Sequence, residues 1–226
     1  MAALPLHSAC HTGDLVYVQE YLRQGKKPTE PDSNGGTALH WAAHSGHQEI
    51  AFLLLQHENP VNAKNFDGNT PLHYAAAAGR TKMCVLLMQN GADPNMKNKS
   101  LQTPLHGAAG RGHTKCVKTL IEGAEVSATG KLVKADVNAA DVNGATPLHM
   151  AAECIFKSSY HALVAAGADP SKKTKKGLTA HDFLHRGWGW RTYISWAIVV
   201  IFIFANVYQL SPMWLKSDIK EILGLE

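Results

Sequence analysis

Apolar residues in this chain do not alternate as they would along a half-buried strand. They return in short blocks of helical spacing separated by polar turns. Leu72, Ala75 and Ala76 fall at i, i+3 and i+4, a narrow stripe whose small side chains let a neighbouring helix approach closely. Gly79 can turn the chain, and Met83, Val85, Leu86 and Leu87 then mark a second helix. Thr70 and Pro71 open the unit: a threonine hydroxyl caps the first turn, and proline at the first helical position gives up an N–H that has no helical partner. The unit closes on Gly91-Ala92-Asp93-Pro94-Asn95, while Asp67-Gly68 and Asn143-Gly144 carry hairpin-turn chemistry. The pattern predicts helix, turn, helix and hairpin.

That unit recurs. Leu4-Pro5-Leu6-His7 and Thr37-Ala38-Leu39-His40 are followed by Thr-Pro-Leu-His ending at His73, His106 and His149. The first four histidines are 33 residues apart and the last interval is 43. Trp41-Ala42-Ala43 with Gly46, Tyr74-Ala75-Ala76 with Gly79, and the closing Gly91-Ala92-Asp93-Pro94-Asn95 and Gly167-Ala168-Asp169-Pro170 complete the motif. In period and motif the chain resembles ankyrin repeats over residues 4 to 182. One such unit cannot bury its apolar face alone, so units stack, with about three needed for stability.

The resemblance implies an all-α ankyrin-repeat solenoid of about five repeats followed by a single apolar helix. Repeat 1 covers residues 1–36 as an N-terminal cap, and repeats 2 and 3 cover 37–69 and 70–102. Repeat 4, with an insertion of about ten residues around Ala124 to Lys134, covers 103–145, and repeat 5 covers 146–178. A partial repeat and a basic, aromatic segment occupy 179–191, before an apolar span at 192–215 and a short tail at 216–226. Leu101 stands in the place of a hairpin glycine, and Ile155 replaces the glycine between the helices of repeat 5. These departures predict a distorted fifth repeat.

The 24 residues from Thr192 to Leu215 contain no Asp, Glu, Lys or Arg. Tyr193 to Leu210 is 18 residues long, which as a helix spans roughly 27 Å, close to the roughly 30 Å of a bilayer's hydrocarbon. Trp188, Trp190, Tyr193 and Trp196 stand at one end and Tyr208 and Trp214 at the other, like the two aromatic belts of a membrane span. Lys172, Lys173, Lys175, Lys176, Arg186 and Arg191 precede it against Asp182, which places the repeats on the cytosolic side. With 11 residues after Leu215 the arrangement resembles a tail-anchored, single-pass membrane protein, touching membrane lipid through this helix. The competing reading, an apolar helix folded against the stack, stays open, although the core of the segment shows no polar face.

Composition narrows the function. Charged residues make up 18% of the 226 and the net charge is +4, which gives no footprint for nucleic acid. Cys10, Cys84, Cys116 and Cys154 form no CxxC pair, and no basic stretch leads an apolar run at Met1, so a reducing cytosol is the expected setting. His7, His40, His73, His106 and His149 belong to the repeat motif, and His44 and His47 straddle Gly46 without a carboxylate pair; no metal and no cofactor are expected. No nucleophile elbow, phosphate loop or zinc-protease motif occurs, which argues against an enzyme.

What remains is binding. The family resemblance implies that a protein partner meets the hairpin tips and the two residues after each Ala-Ala. Here the tip residues are Phe66, Asp67, Lys99, Val142 and Asn143, and the helix residues include His44, Ser45 and Arg111. Trp41 and Tyr74, one period apart, stand beside this ridge, as interface aromatics or as packing between repeats. The family also implies a hydroxylation candidate: among Asn62, Asn95 and Asn138, Asn95 is best placed, with Asp93 two residues and Leu87 eight residues before it. The whole reads as a cytosolic adaptor at a membrane. Its rivals are the regulatory part of a larger acyltransferase or channel, and a soluble regulator whose apolar tail packs on the stack.

Overall fold

The structure, a computed structural model, describes residues 6–57 and 59–184. Helices come in pairs: α1 (Leu6–Thr12) with α2 (Leu15–Arg23), α3 (Ala38–Ser45) with α4 (Gln48–Gln56), and α5 (Pro71–Ala77) with α6 (Thr81–Gln89). They continue as α7 (Pro104–Gly110) with α8 (Thr114–Glu122) and α9 (Pro147–Glu153) with α10 (Lys157–Ala165). The first helices of successive pairs pack side by side from α1 to α9, and the second helices form a parallel outer row. A further helical turn begins at Ala180.

Local chemistry explains each inner helix. Thr37, Thr70, Thr103 and Thr146 hold extended backbone just before the helix, and each closes a capping box with the histidine three residues on. The threonine hydroxyl takes the histidine's backbone N–H, while the imidazole Nδ1 accepts the threonine N–H at 3.0 to 3.1 Å. The partial sixth repeat substitutes a carboxylate: Asp182 accepts from both the N–H and the hydroxyl of Thr179 at 2.7 Å.

The inner stripes are as small as the spacing requires. Ala42, Ala43, Ala75, Ala76, Ala108, Ala109, Ala151 and Ala152 have no exposed surface, and Leu39, Leu72, Leu105 and Leu148 are equally buried beside them. Cys10 fills similar space on α1, and Cys84 and Cys116 are buried on the second helices α6 and α8, but Cys154 is exposed, because it caps the end of α9 instead of facing the core.

Repeat 5 corrects the expectation of distortion. Ile155 adopts φ 60°, the left-handed conformation that Gly79 adopts at φ 72° in repeat 3. Phe156 donates to the Ala151 carbonyl at 2.9 Å, as Arg80 donates to that of Ala75. The neighbouring repeat and these hydrogen bonds impose the turn, and the isoleucine takes the strain. Leu101, at φ 57°, does the same at its hairpin tip.

The insertion departs from all-α architecture. β1 (Ala124–Glu125) pairs antiparallel with β2 (Leu132–Val133), Ala124 opposite Val133. Its turn donates from the Ser127 N–H to the Gln89 carbonyl at the end of α6, at 2.8 Å. The extra residues loop out as this hairpin, and the Ala135 N–H returns to the Leu120 carbonyl at 2.8 Å, so the stacking register resumes. Among the described residues no helix is long and apolar enough to cross a membrane. The span expected at 192–215, with its flanks at 185–191 and 216–226, lies outside the described residues.

Candidate functional site

The hairpins form one continuous edge. The Phe66 N–H donates to the Asn34 carbonyl, Lys99 to Asp67, Val142 to Ser100 and Lys175 to Asn143, all at 2.8 to 3.0 Å. Each tip is therefore fixed to its predecessor by a main-chain hydrogen bond. Within each tip one side chain builds the turn. Asp32, Asn65, Asn98 and Asp141 each accept two backbone N–H groups, two and four residues ahead, at 2.7 to 3.0 Å. These residues recur at the period of the histidines, a signal present in the sequence and passed over there.

Behind the tips, the motif histidines tie each inner helix to the next hairpin. Nε2 of His40 meets the Asn69 carbonyl, that of His73 the Gln102 carbonyl, that of His106 the Ala145 carbonyl and that of His149 the Leu178 carbonyl, at 3.0 to 3.3 Å. A carbonyl can only accept, so Nε2 carries the proton and Nδ1 stays free to accept from threonine. Burial holds all four imidazoles below the ordinary histidine value, His73 down to about 4. They are structural groups kept neutral by their surroundings.

The proposed contact residues fall into two sets. Phe66 is 63% exposed with its ring lying over Gly35 of the preceding tip, Val142 is 38% exposed, and Asp67, Lys99 and Asn143 are exposed beside them. Trp41 and Tyr74 are half-buried and brace hairpins. Trp41 Nε1 donates to Asp32 at 2.7 Å, and Tyr74 takes a hydrogen bond from Asn65 at 3.1 Å. Burial pushes the Asp32 carboxyl up, but hydrogen bonds from Gly36, Trp41 and Asn34 outweigh it and hold the group below its ordinary value.

Around these rings sits a cluster the sequence did not reveal. His11 meets Trp41 edge-on at 5.4 Å and stacks on His44 at 6.1 Å, and His44 meets Tyr74 at 6.1 Å. Ser45 contacts His11 Nδ1 at 2.9 Å. Arg80 donates to the His44 carbonyl at 3.0 Å and Arg111 to the Ala77 carbonyl at 3.2 Å, each guanidinium capping the end of the preceding inner helix. Burial depresses His44, and the positive charges of His11, Arg80 and Arg111 depress it further. Among the described residues no three His, Cys, Asp or Glu side chains gather as a metal site.

Asn95 has a structural task. Its carboxamide donates to the Lys134 carbonyl at 3.0 Å and accepts from the Asp136 N–H at 2.7 Å, joining repeats 3 and 4 across the insertion. Asn62 and Asn138 make the same bridge to the carbonyls of Gly91 and Gly167. The family model described as Ankyrin repeats (3 copies) matches the chain over residues 6–98 and 86–174. No curated protein matches it significantly.

Proposed function

Because the chain belongs to the ankyrin-repeat family, we propose that it is an adaptor without a reaction of its own, binding a protein partner along its hairpin tips and inner helices while its C-terminal segment holds it at the cytosolic face of a membrane. Ankyrin repeats imply a protein partner. The observation that supports this particular surface is the division of labour within each repeat: main-chain hydrogen bonds and buried motif residues carry the stack, leaving Phe66, Val142 and their neighbours outward with no scaffold duty that fixes their identity. Residues on a rigid edge that carry no scaffold duty are free to read a partner.

Membrane attachment rests on the sequence. The uncharged stretch from Thr192 to Leu215, its aromatic ends and the preceding lysines and arginines support an anchor with the repeats cytosolic. Alkaline carbonate extraction of cells expressing the full chain tests it. The chain is expected in the pellet, and a form lacking residues 188–226 in the supernatant. Ile201→Arg should disfavour insertion by roughly 2.5 to 3.5 kcal/mol. Soluble full-length protein would remove the anchor from the account and leave the adaptor reading in place.

A further inference from the structure

One stretch of the inner face is hollow. In repeats 2, 3 and 5 the position after the motif histidine carries Trp41, Tyr74 and Met150, whereas repeat 4 carries Gly107. Three residues later the same helix has Gly110. Between Tyr74 and Met150 this leaves a recess of about 430 Å³, within the size range of ligand pockets, with His44 and Arg111 also on its lining and Gln102 on the hairpin side.

The fold does not ask for glycine here. Gly107 lies inside α7 with ordinary helical φ, and a Cβ placed on it would meet Ala77 Cβ at 3.5 Å, a normal contact; a Cβ on Gly110 would meet Met150 Cβ at the same distance. Glycine within a helix is less stable than alanine, because it gives up more backbone freedom on folding. Repeat 4 thus carries an unfavourable residue whose structural effect is the opening. The hairpin has adjusted to it: Asn98, lacking a ring to brace it as Tyr74 braces Asn65, turns its amide to Asn69 at 2.9 Å.

Charge specifies the rest. Among the described residues no ion pair involves Arg111 on the recess or Arg80 beside it, so neither faces a carboxylate within ion-pair distance. Each guanidinium presents five N–H donors, and the cap uses one. Resting on the adaptor reading above, we propose that this recess seats one large apolar side chain of the partner, with an aspartate or glutamate of the same segment against Arg111. The partner is an acidic peptide segment with an apolar anchor.

The probe is a synthetic library of ten-residue peptides with Phe, Leu or Ala at the centre and Glu or Lys at the flanking positions, titrated against the full chain in detergent. Glu-flanked Phe or Leu peptides are expected to bind roughly tenfold or more tighter than Ala-centred or Lys-flanked ones. Gly107→Leu, which fills the recess, should weaken them by a similar factor while circular dichroism stays that of the parent and thermal melting is no lower; Arg111→Glu should reverse the flank preference. Gly107→Ala, small enough to keep the fold, should fall between. Equal binding of Lys-flanked peptides, indifference to Gly107→Leu, or no binding by any member overturns the proposal. If Gly107→Leu is silent while Phe66→Ala weakens binding, only the recess is lost. Peptides that photocross-link solely to α4 and α6 overturn the adaptor surface as well.

Discussion

Lowering the pH should destabilise this protein through its motif histidines, beginning above the range in which carboxylates titrate. His73 shows the effect most clearly. Its Nδ1 accepts the Thr70 N–H at 3.1 Å and its Nε2 donates to Gln102 at 3.0 Å, so protonation would set two donors face to face inside a buried site. Its value falls from 6.5 to about 4 on folding. The unfolded chain therefore takes up the proton first. Stability is fully present above about pH 6.5 and is lost as the pH falls through about 4. At about 1.4 kcal/mol per unit, His73 alone contributes about 3 kcal/mol, of which about 2 disappear by pH 5. His40, His106 and His149 are depressed for the same reason and steepen the dependence.

The assay is urea denaturation followed by far-UV circular dichroism at about pH 7, 6 and 5. That range lies above the depressed carboxyls of Asp32, Asp169 and Asp182, whose ordinary value is 3.8. The slope should exceed one proton per molecule between pH 6 and 5. His73→Gln should be less stable at pH 7 yet lose about one proton of that slope. A stability that stays flat from pH 7 to 5, or a slope untouched in His73→Gln, would refute the account of these histidines as neutral ties.

Three further outcomes follow from particular residues. Ile155→Gly should raise stability by about 1 to 2 kcal/mol by releasing a β-branched side chain from φ 60°, read as a higher melting temperature; a lower one would mean that packing of the isoleucine outweighs the strain. Leu72→Ala should destabilise by roughly 2 to 5 kcal/mol, whereas Phe66→Ala, at a 63% exposed site, should melt close to the parent and weaken partner binding by roughly 1 to 2 kcal/mol; a shared melting temperature would place Phe66 in the core. We propose that Asn95 carries added oxygen in cells where an asparaginyl hydroxylase is active; peptide mass spectrometry finding it unmodified there would end that proposal.

The scaffold was legible wherever backbone geometry dictates the residue. Thr-Pro at a helix start and glycine between paired helices are each demanded by a cap or a positive φ, and repetition made them plain. Ile155 misled because residue preference at one turn is weaker than the stack on both sides of it. The insertion gave no pattern to read, since two strands of two residues offer too few positions for alternation. Tyr74 was recognised as an aromatic of the ridge, but its partner Asn65 lies nine residues back, a relation that helical spacing does not suggest. The recess over Gly107 escaped for a related reason: it is made by a missing side chain, and only three-dimensional neighbours show what is missing.

The central claim is that the hairpin tips and inner helices, not the outer row, meet the partner. Site-specific photocrosslinking in cells tests this most directly, with benzoylphenylalanine placed in turn at Phe66 and Arg111 on the proposed surface and at Lys82 and Lys118 on the outer helices. Covalent adducts to a partner protein from Phe66 and Arg111, with none from Lys82 and Lys118, are the predicted result. Adducts from the outer positions alone would contradict the account.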